Sequence, residues 1–437
     1  MKLKLSLLAI LSLFILLMTA GPIFAADDSV NLNNSTYGID KNQKTSTVTV
    51  TSQKKTYTIT PNSKPCDKKI LGYSTYNKYT KNYYTLISYM KKFEKAGGGV
   101  LVLKKGTYTI SSTVAVPSNV NIVMNDGVVI KKSTKTGTSR FKASMTIFQL
   151  VAPSKLKKSK AYAKYNGVKN VKIIGKGSAV IDMRYIKGNH AIVCGHNRNI
   201  QIQGITFKNI NKAHFIELDA TNKITISNCK FIGAKSYTNP YDEAINLDTP
   251  DKTTGGFNNV WSSHDKTPNC NVLIENNYFS GMNRAIGTHK YSQRKTNGVY
   301  VTNHGQVYHT NITIRNNKII NSRSYAIRVL NWKNAHIVNN YINNVPSKYV
   351  AIFTAGAINL KIKQNYFKNM ARSIRIFPMK NVGAGSVYSV TYNSLTSTNY
   401  EDMKYNLCVS VADNVVRVYT KYNMFTNPVK TIYLLKS

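Results

Sequence analysis

Two sets of isoleucines alternate down the chain. Ile192, Ile216, Ile245, Ile286, Ile327, Ile352 and Ile374 open one kind of short apolar segment, and Ile202, Ile226, Ile274, Ile314, Ile337 and Ile362 centre another. Most successive members of either set lie 22 to 29 residues apart, and the second normally follows the first by 10. A period of that length marks a solenoid in which each repeat is one turn of chain, able to bury its apolar face only against its neighbours. Within each segment apolar and polar residues alternate, which gives strands rather than helices. The expected fold is all-β.

The segments around the second rung follow a formula, seen in Asn271-Val-Leu-Ile-Glu-Asn-Asn-Tyr-Phe279, Asn311-Ile-Thr-Ile-Arg-Asn-Asn-Lys-Ile319 and Asn334-Ala-His-Ile-Val-Asn-Asn-Tyr-Ile342. Alternation turns the isoleucines inward. The recurring asparagines suit left-handed backbone at turns and can stack as an amide ladder, a structural role. Before the repeats, Tyr83, Leu86, Ile87, Met90 and Phe93 fall at helical spacing and stop at Gly97-Gly98-Gly99. This predicts one amphipathic helix that caps the solenoid. Residues 26–65, rich in Ser, Thr, Asn and Lys, read as a flexible or edge-strand linker, and the solenoid domain is expected over 66–437.

Residues 1–25 carry Lys2 and Lys4, an apolar run from Leu5 to Met18 and an Ile23-Phe24-Ala25 ending, the pattern of a signal peptide. Export to the medium or the cell surface follows, with no membrane span expected after cleavage. Lys and Arg number 60 against 18 Asp and Glu, a formal net charge of +42. Such a field favours acidic polymers, and an exported chain without a nucleic-acid module points to an acidic polysaccharide or cell-wall polymer. The five cysteines, scattered and without a CxxC pair, signal neither a disulfide framework nor a thiolate metal site.

These repeats, together with the Gly97-Gly98-Gly99 to Gly106-Thr-Tyr108 stretch, resemble the right-handed parallel β-helix of the pectin-lyase-like superfamily. The resemblance implies a single-stranded solenoid and leaves function open among lyases, hydrolases, tailspikes and adhesin-like surface proteins.

Aligning the first strand of each coil on its isoleucine places Glu217, Asn246, Gly287, Arg328 and Arg375 in one outward column, with Asp219, Asp248 and His289 in the next. Six of the 18 acidic residues (Glu217, Asp219, Asp242, Glu243, Asp248 and Asp251) fall within 35 residues of a basic chain. Carboxylates on neighbouring strands repel one another, and a fold has no need of that arrangement. The offset between rungs also jumps from 10 to 29 after Ile245 and to 28 after Ile286, so two long loops leave adjacent coils directly after Asp248 and His289. Loops of that length usually carry function, and their Trp261 and Tyr308, with Trp332 nearby, could stack on sugar rings or seal the loops onto the helix.

In order along the chain, Asp219, then Asp242-Glu243-Ala-Ile-Asn-Leu-Asp248, then Arg284-Ala-Ile-Gly-Thr-His289, then Arg328, looks similar to the motif series of polygalacturonase-type hydrolases, though the letters differ. That resemblance implies cleavage of an acidic polysaccharide by Asp219, Glu243, Asp248, His289 and Arg328. In a hydrolase, one carboxyl is the acid and another activates water. In a lyase, Asp219, Asp242 and Asp248 hold Ca²⁺, the one cofactor the reading admits, and Arg328 or a lysine is the base. Glu217, Asp242, Asn246, Trp261, Arg284, Lys290, Tyr308, Trp332 and Arg375 are expected to contact substrate. The alternative is a non-catalytic, adhesin-like surface protein that binds wall polymer or glycan. Oligomeric state is open on either reading.

Overall fold

In the computed structural model the described residues are 54–237, 241–255, 257–288, 290–292, 295–296, 299–300, 307–380, 390–420 and 427–437. Residues 1–25, read above as a signal peptide, and most of the expected linker fall outside them. Within them, both isoleucine series are rungs. Ile192, Ile216, Ile245, Ile286, Ile327, Ile352 and Ile374 are successive Cα partners in one parallel sheet, here sheet 1. Ile202, Ile226, Ile274, Ile314, Ile337 and Ile362 are successive partners in sheet 2. Each coil has a third strand that the two-rung reading did not separate. Its inward residues Phe207, Phe231, Phe279, Ile319, Ile342 and Phe367 pair in sheet 3. The three sheets hold 11, 10 and 11 strands, and their order by coil rather than by neighbour makes the fold a parallel β-helix.

All these inward residues are buried, and the phenylalanines stack, Phe207 on Phe231 at 5.0 Å and Phe231 on Phe279 at 4.7 Å. The Asn-Asn pairs divide their work at the bend between sheets 2 and 3. Asn276, Asn316 and Asn339 take the left-handed backbone at φ of 55 to 56°, while Asn277, Asn317, Asn340, Asn365 and Asn406 run as a buried amide ladder.

The expected helix, α1, spans Lys81–Ala96, buries Leu86, Ile87, Met90 and Phe93, and ends at Gly97 with φ 77°. It packs on strands Gly99–Leu103, Gly106–Ile110 and Val114–Ala115. The linker segment ends in an edge strand, Thr56–Ile59, paired to Gly99–Leu103. A short helix that periodicity did not predict, α2 at Ser397–Met403, starts from a capping box between Thr396 and Asn399.

Candidate functional site

The outer side of sheet 1 holds most of the residues singled out in the sequence. Strand Ile216–Asp219 pairs with Glu243–Asp248 so that Glu217 faces Asn246 and Asp219 faces Asp248 across one rung spacing, and Gly287 pairs with Arg328 in the same column. The columns form as alternation requires, but they are not open to solvent. Asp219 is 0% exposed, and Glu243, Asn246 and Asp248 are each 1% exposed.

The two long loops account for this. Residues 249–269 fold back over earlier coils. Trp261 Nε1 donates to Gln149 Oε1 at 3.2 Å, Gln149 Nε2 donates to Asn259 Oδ1 at 3.1 Å, and the Ser262 hydroxyl meets His196 Nε2 at 2.7 Å. Phe257 and Trp261 lie so close to Gly195 that a Cβ there would come within 2.5 and 2.6 Å of their rings, so glycine is required by the contact. The second loop locks onto the first. Lys290 Nζ donates to Thr254 O at 2.6 Å, and Ser292 Oγ bonds both Asp251 Oδ2 at 2.5 Å and Thr249 Oγ1 at 2.6 Å. Tyr291 is buried against Leu330, Val350 and Phe353.

Several expected roles are corrected by this packing. Trp261 is 1% exposed and Trp332 0%, its Nε1 donating to Thr288 Oγ1 at 2.9 Å, so neither indole presents a face to a sugar. Arg328 donates to Thr288 O at 2.7 Å and lies over Phe353. Burial, with Arg284 nearby, pushes its guanidinium down to about 10. Asp242 does not join Asp219 and Asp248 as a Ca²⁺ set: it stands six residues before Asp248, roughly 20 Å of extended strand, and accepts from Asn283 instead. Among the described residues no three His, Cys, Asp or Glu side chains are grouped to hold a metal ion. Tyr308 is half-buried, and burial raises its hydroxyl to about 12. Arg375 is half-buried and stacks on Phe377 at 4.1 Å. His289 lies outside the described residues.

A charge-compensated column joins Glu243 and Arg284 to His190, His214 and Tyr325, three residues not singled out in the sequence. His190, His214, Glu243, Arg284 and Tyr325 each stand two residues before a first-rung isoleucine, and aligning at that offset would have found them. The His190 and His214 rings are 5.8 Å apart. His214 lies 3.7 Å from Glu217 and 3.8 Å from Glu243. Arg284 Nη1 meets Glu243 Oε1 at 2.9 Å, with the guanidinium 5.3 Å from the Tyr241 ring and 5.4 Å from Tyr325. Tyr325 in turn stacks on Phe353 at 4.9 Å.

Asp219, in the next column, makes no ion pair among the described residues. Asp219 has neither carboxylate oxygen hydrogen-bonded among the described residues. Burial first, then the Asp248 charge, raise the Asp219 carboxyl well above the usual range; burial, then Asp219 and Asp248, do the same to Glu217. Both groups therefore keep a proton in the folded chain at pH values where the unfolded chain has released it. A raised folded value stabilises at low pH and loses that stabilisation as pH rises through it. From about pH 4 upward the wild type should lose stability more steeply than Asp219→Asn, which keeps the shape without the charge. Melting temperatures of the two proteins across pH 4 to 9 check this, and parallel curves would contradict it.

No family model matches the chain. Plasmin and fibronectin-binding protein A of Streptococcus pneumoniae is 22% identical to it over 335 residues, 74% of this chain and 41% of that protein. The chain thus spans about two-fifths of the length of the curated relative it matches. The crystal structure of PfbA, a surface adhesin of Streptococcus pneumoniae, aligns with a TM-score of 0.56 at 17% identity, covering 83% of this chain and 82% of that one. A second structure of the same surface protein aligns with a TM-score of 0.52 at 16% identity, covering 81% and 90%. At these identities the likeness shows the fold alone, a parallel β-helix.

Proposed function

We propose that this chain is an adhesion module displayed outside the cell, a rigid β-helix that holds an acidic polymer on its outer faces without cutting it. The observation that carries the reading is the burial of Asp219, Glu243 and Asp248, each at most 1% exposed. General acid and base groups have to reach a glycosidic oxygen and a water, and inverting or retaining pairs flank the sugar they cleave. Here Glu243 is tied to Arg284 and the interlocked loops cover Asp248. The likeness to a surface adhesin supports the same reading, as does the net charge of +42, which draws acidic chains by long-range attraction. What sheet 1 leaves accessible is aromatic and cationic: Tyr241 is 59% exposed, and Arg375 and Phe377 are partly so.

Calorimetric titration with polygalacturonate, a sulfated glycan and neutral dextran at increasing salt tests this. Binding of both acidic polymers, weakening with salt, and no binding of dextran is the expected result. Equal affinity for dextran would contradict it.

A further inference from the structure

The adhesion reading does not say which face holds the polymer, and the three sheets differ in what they offer. Sheet 1 lies under the long loops. Sheet 2 is basic too, but Arg315 there pairs with Glu275 at 2.7 Å, Asp402 stands 3.8 Å from Lys361 and 3.0 Å from Lys363, and the strands from Lys169–Gly175 to Ile358–Lys363 expose no Tyr, Phe or Trp beside their lysines. On sheet 3 the strands from Thr206–Ile210 to Tyr366–Arg372 contain no Asp or Glu. Their inward residues are the stacked core, so the alternate positions point away from it. Register sets Lys230, Tyr278, Lys318, Tyr341 and Tyr366 in one column. Lys208 and Lys368 lie in the next column over.

Lysine and tyrosine thus recur at the coil repeat of ~4.8 Å, close to the length of one pyranose residue in an extended glycan. Lys230 and Lys318 are exposed, and among the described residues neither makes an ion pair, nor do Lys208 and Lys368. Lys318 lies 5.7 Å from the Tyr341 ring, which stacks on Tyr366 at 5.2 Å with a 16° tilt, giving two rings nearly in one orientation. A shallow groove lined by Asn321, Arg323 and Asn344 borders the same strands and adds polar groups. A second copy of this chain brings the same positive charge and is repelled.

We propose that the outer face of sheet 3 is the binding surface for an extended acidic polysaccharide, with Tyr278, Tyr341 and Tyr366 meeting sugar rings through their outward edges and hydroxyls and Lys230, Lys318 and Lys368 pairing with uronate carboxylates. This rests on the adhesion reading and names its partner class and face. Rings against sugars and cations against carboxylates recognise different parts of one ligand, so they can be tested apart.

The test is titration of polygalacturonate into four proteins at about 0.15 M salt: wild type, the Lys230→Glu/Lys318→Glu/Lys368→Glu variant, the Tyr341→Ser/Tyr366→Ser variant, and a sheet 2 control, Lys169→Glu/Lys172→Glu/Lys333→Glu, with the same change in net charge. Unchanged melting temperature and elution volume show that each is folded. The sheet 3 reversal should weaken binding about tenfold or more, and the control distinctly less. The tyrosine variant should weaken it about fivefold with the salt dependence unaltered. If both charge reversals weaken binding equally, or if the tyrosine variant binds as the wild type does, sheet 3 is not the site while adhesion stands. If the wild type does not bind polygalacturonate, the adhesion reading fails with it.

Discussion

Replacing Arg284 with alanine is expected to lower the free energy of unfolding by about 3–5 kcal/mol. Arg284 is 3% exposed and Glu243 1%, and their contact at 2.9 Å is a direct ion pair on the buried Glu243 carboxylate, with His214 at 3.8 Å. Removing the cation leaves a charge in a site that water does not reach. Arg284 also donates to Tyr241 O at 2.9 Å and lies between two tyrosine rings, so packing is lost with the charge. Taking away both charges is a different experiment. The Glu243→Gln/Arg284→Met double variant leaves neither ion stranded and should return to within about 2 kcal/mol of the wild type. Denaturant unfolding of the three proteins with the same slope checks this. A single variant as stable as the wild type would mean that the pair is solvated and that the column is not part of the fold's interior.

The second large effect belongs to the asparagine ladder. Asn340 Oδ1 accepts from both the backbone N–H and the Nδ2 of Asn317, at 3.0 Å each, and its own Nδ2 donates to Ile314 O and Asn365 Oδ1, again at 3.0 Å. It is 0% exposed, so Asn340→Ala strands donors on one coil and acceptors on the next where no solvent replaces them. The expected cost is about 2–4 kcal/mol. Asn344 is the fitting comparison, because it is exposed, bonds Asn321 in an outer ladder and holds φ at 60°. Glycine keeps that backbone freely, so Asn344→Gly should cost less than about 1 kcal/mol. Equal losses at the two positions would show that the turn conformation, and not the buried amide chain, is what these asparagines supply.

Periodicity made the scaffold readable, because a solenoid repeats the same burial problem in every coil and the same residue solves it. The rungs from Ile192 to Ile374 and from Ile202 to Ile362 pair as aligned, and the asparagine turns form where the formula places them. The third strand was hidden because its inward residues change identity, from Phe279 to Ile319 to Phe367, and so do not read as one column. Helix α2 was hidden for another reason: seven residues give periodicity too little to work on. At the site, alignment put Asp219 beside Asp248 and Glu217 beside Asn246. It could not show depth, since outward on a strand becomes buried once Trp261 and Ser292 fold back over it. For the same reason the contact of His214 with Glu243 was not legible, being set by the stacking of coils and not by distance along the chain.

The buried carboxylates of sheet 1 are expected to do no chemistry on a polysaccharide, and product analysis tests this directly. Polygalacturonate and cell-wall polymers would be incubated with the purified chain, with and without added Ca²⁺, beside an Asp219→Asn/Asp248→Asn variant, and scored for new reducing ends and unsaturated products. Neither protein is expected to produce either, while both bind polygalacturonate alike. New ends formed by the wild type and lost in the variant would show that the column is reached by substrate and cleaves it.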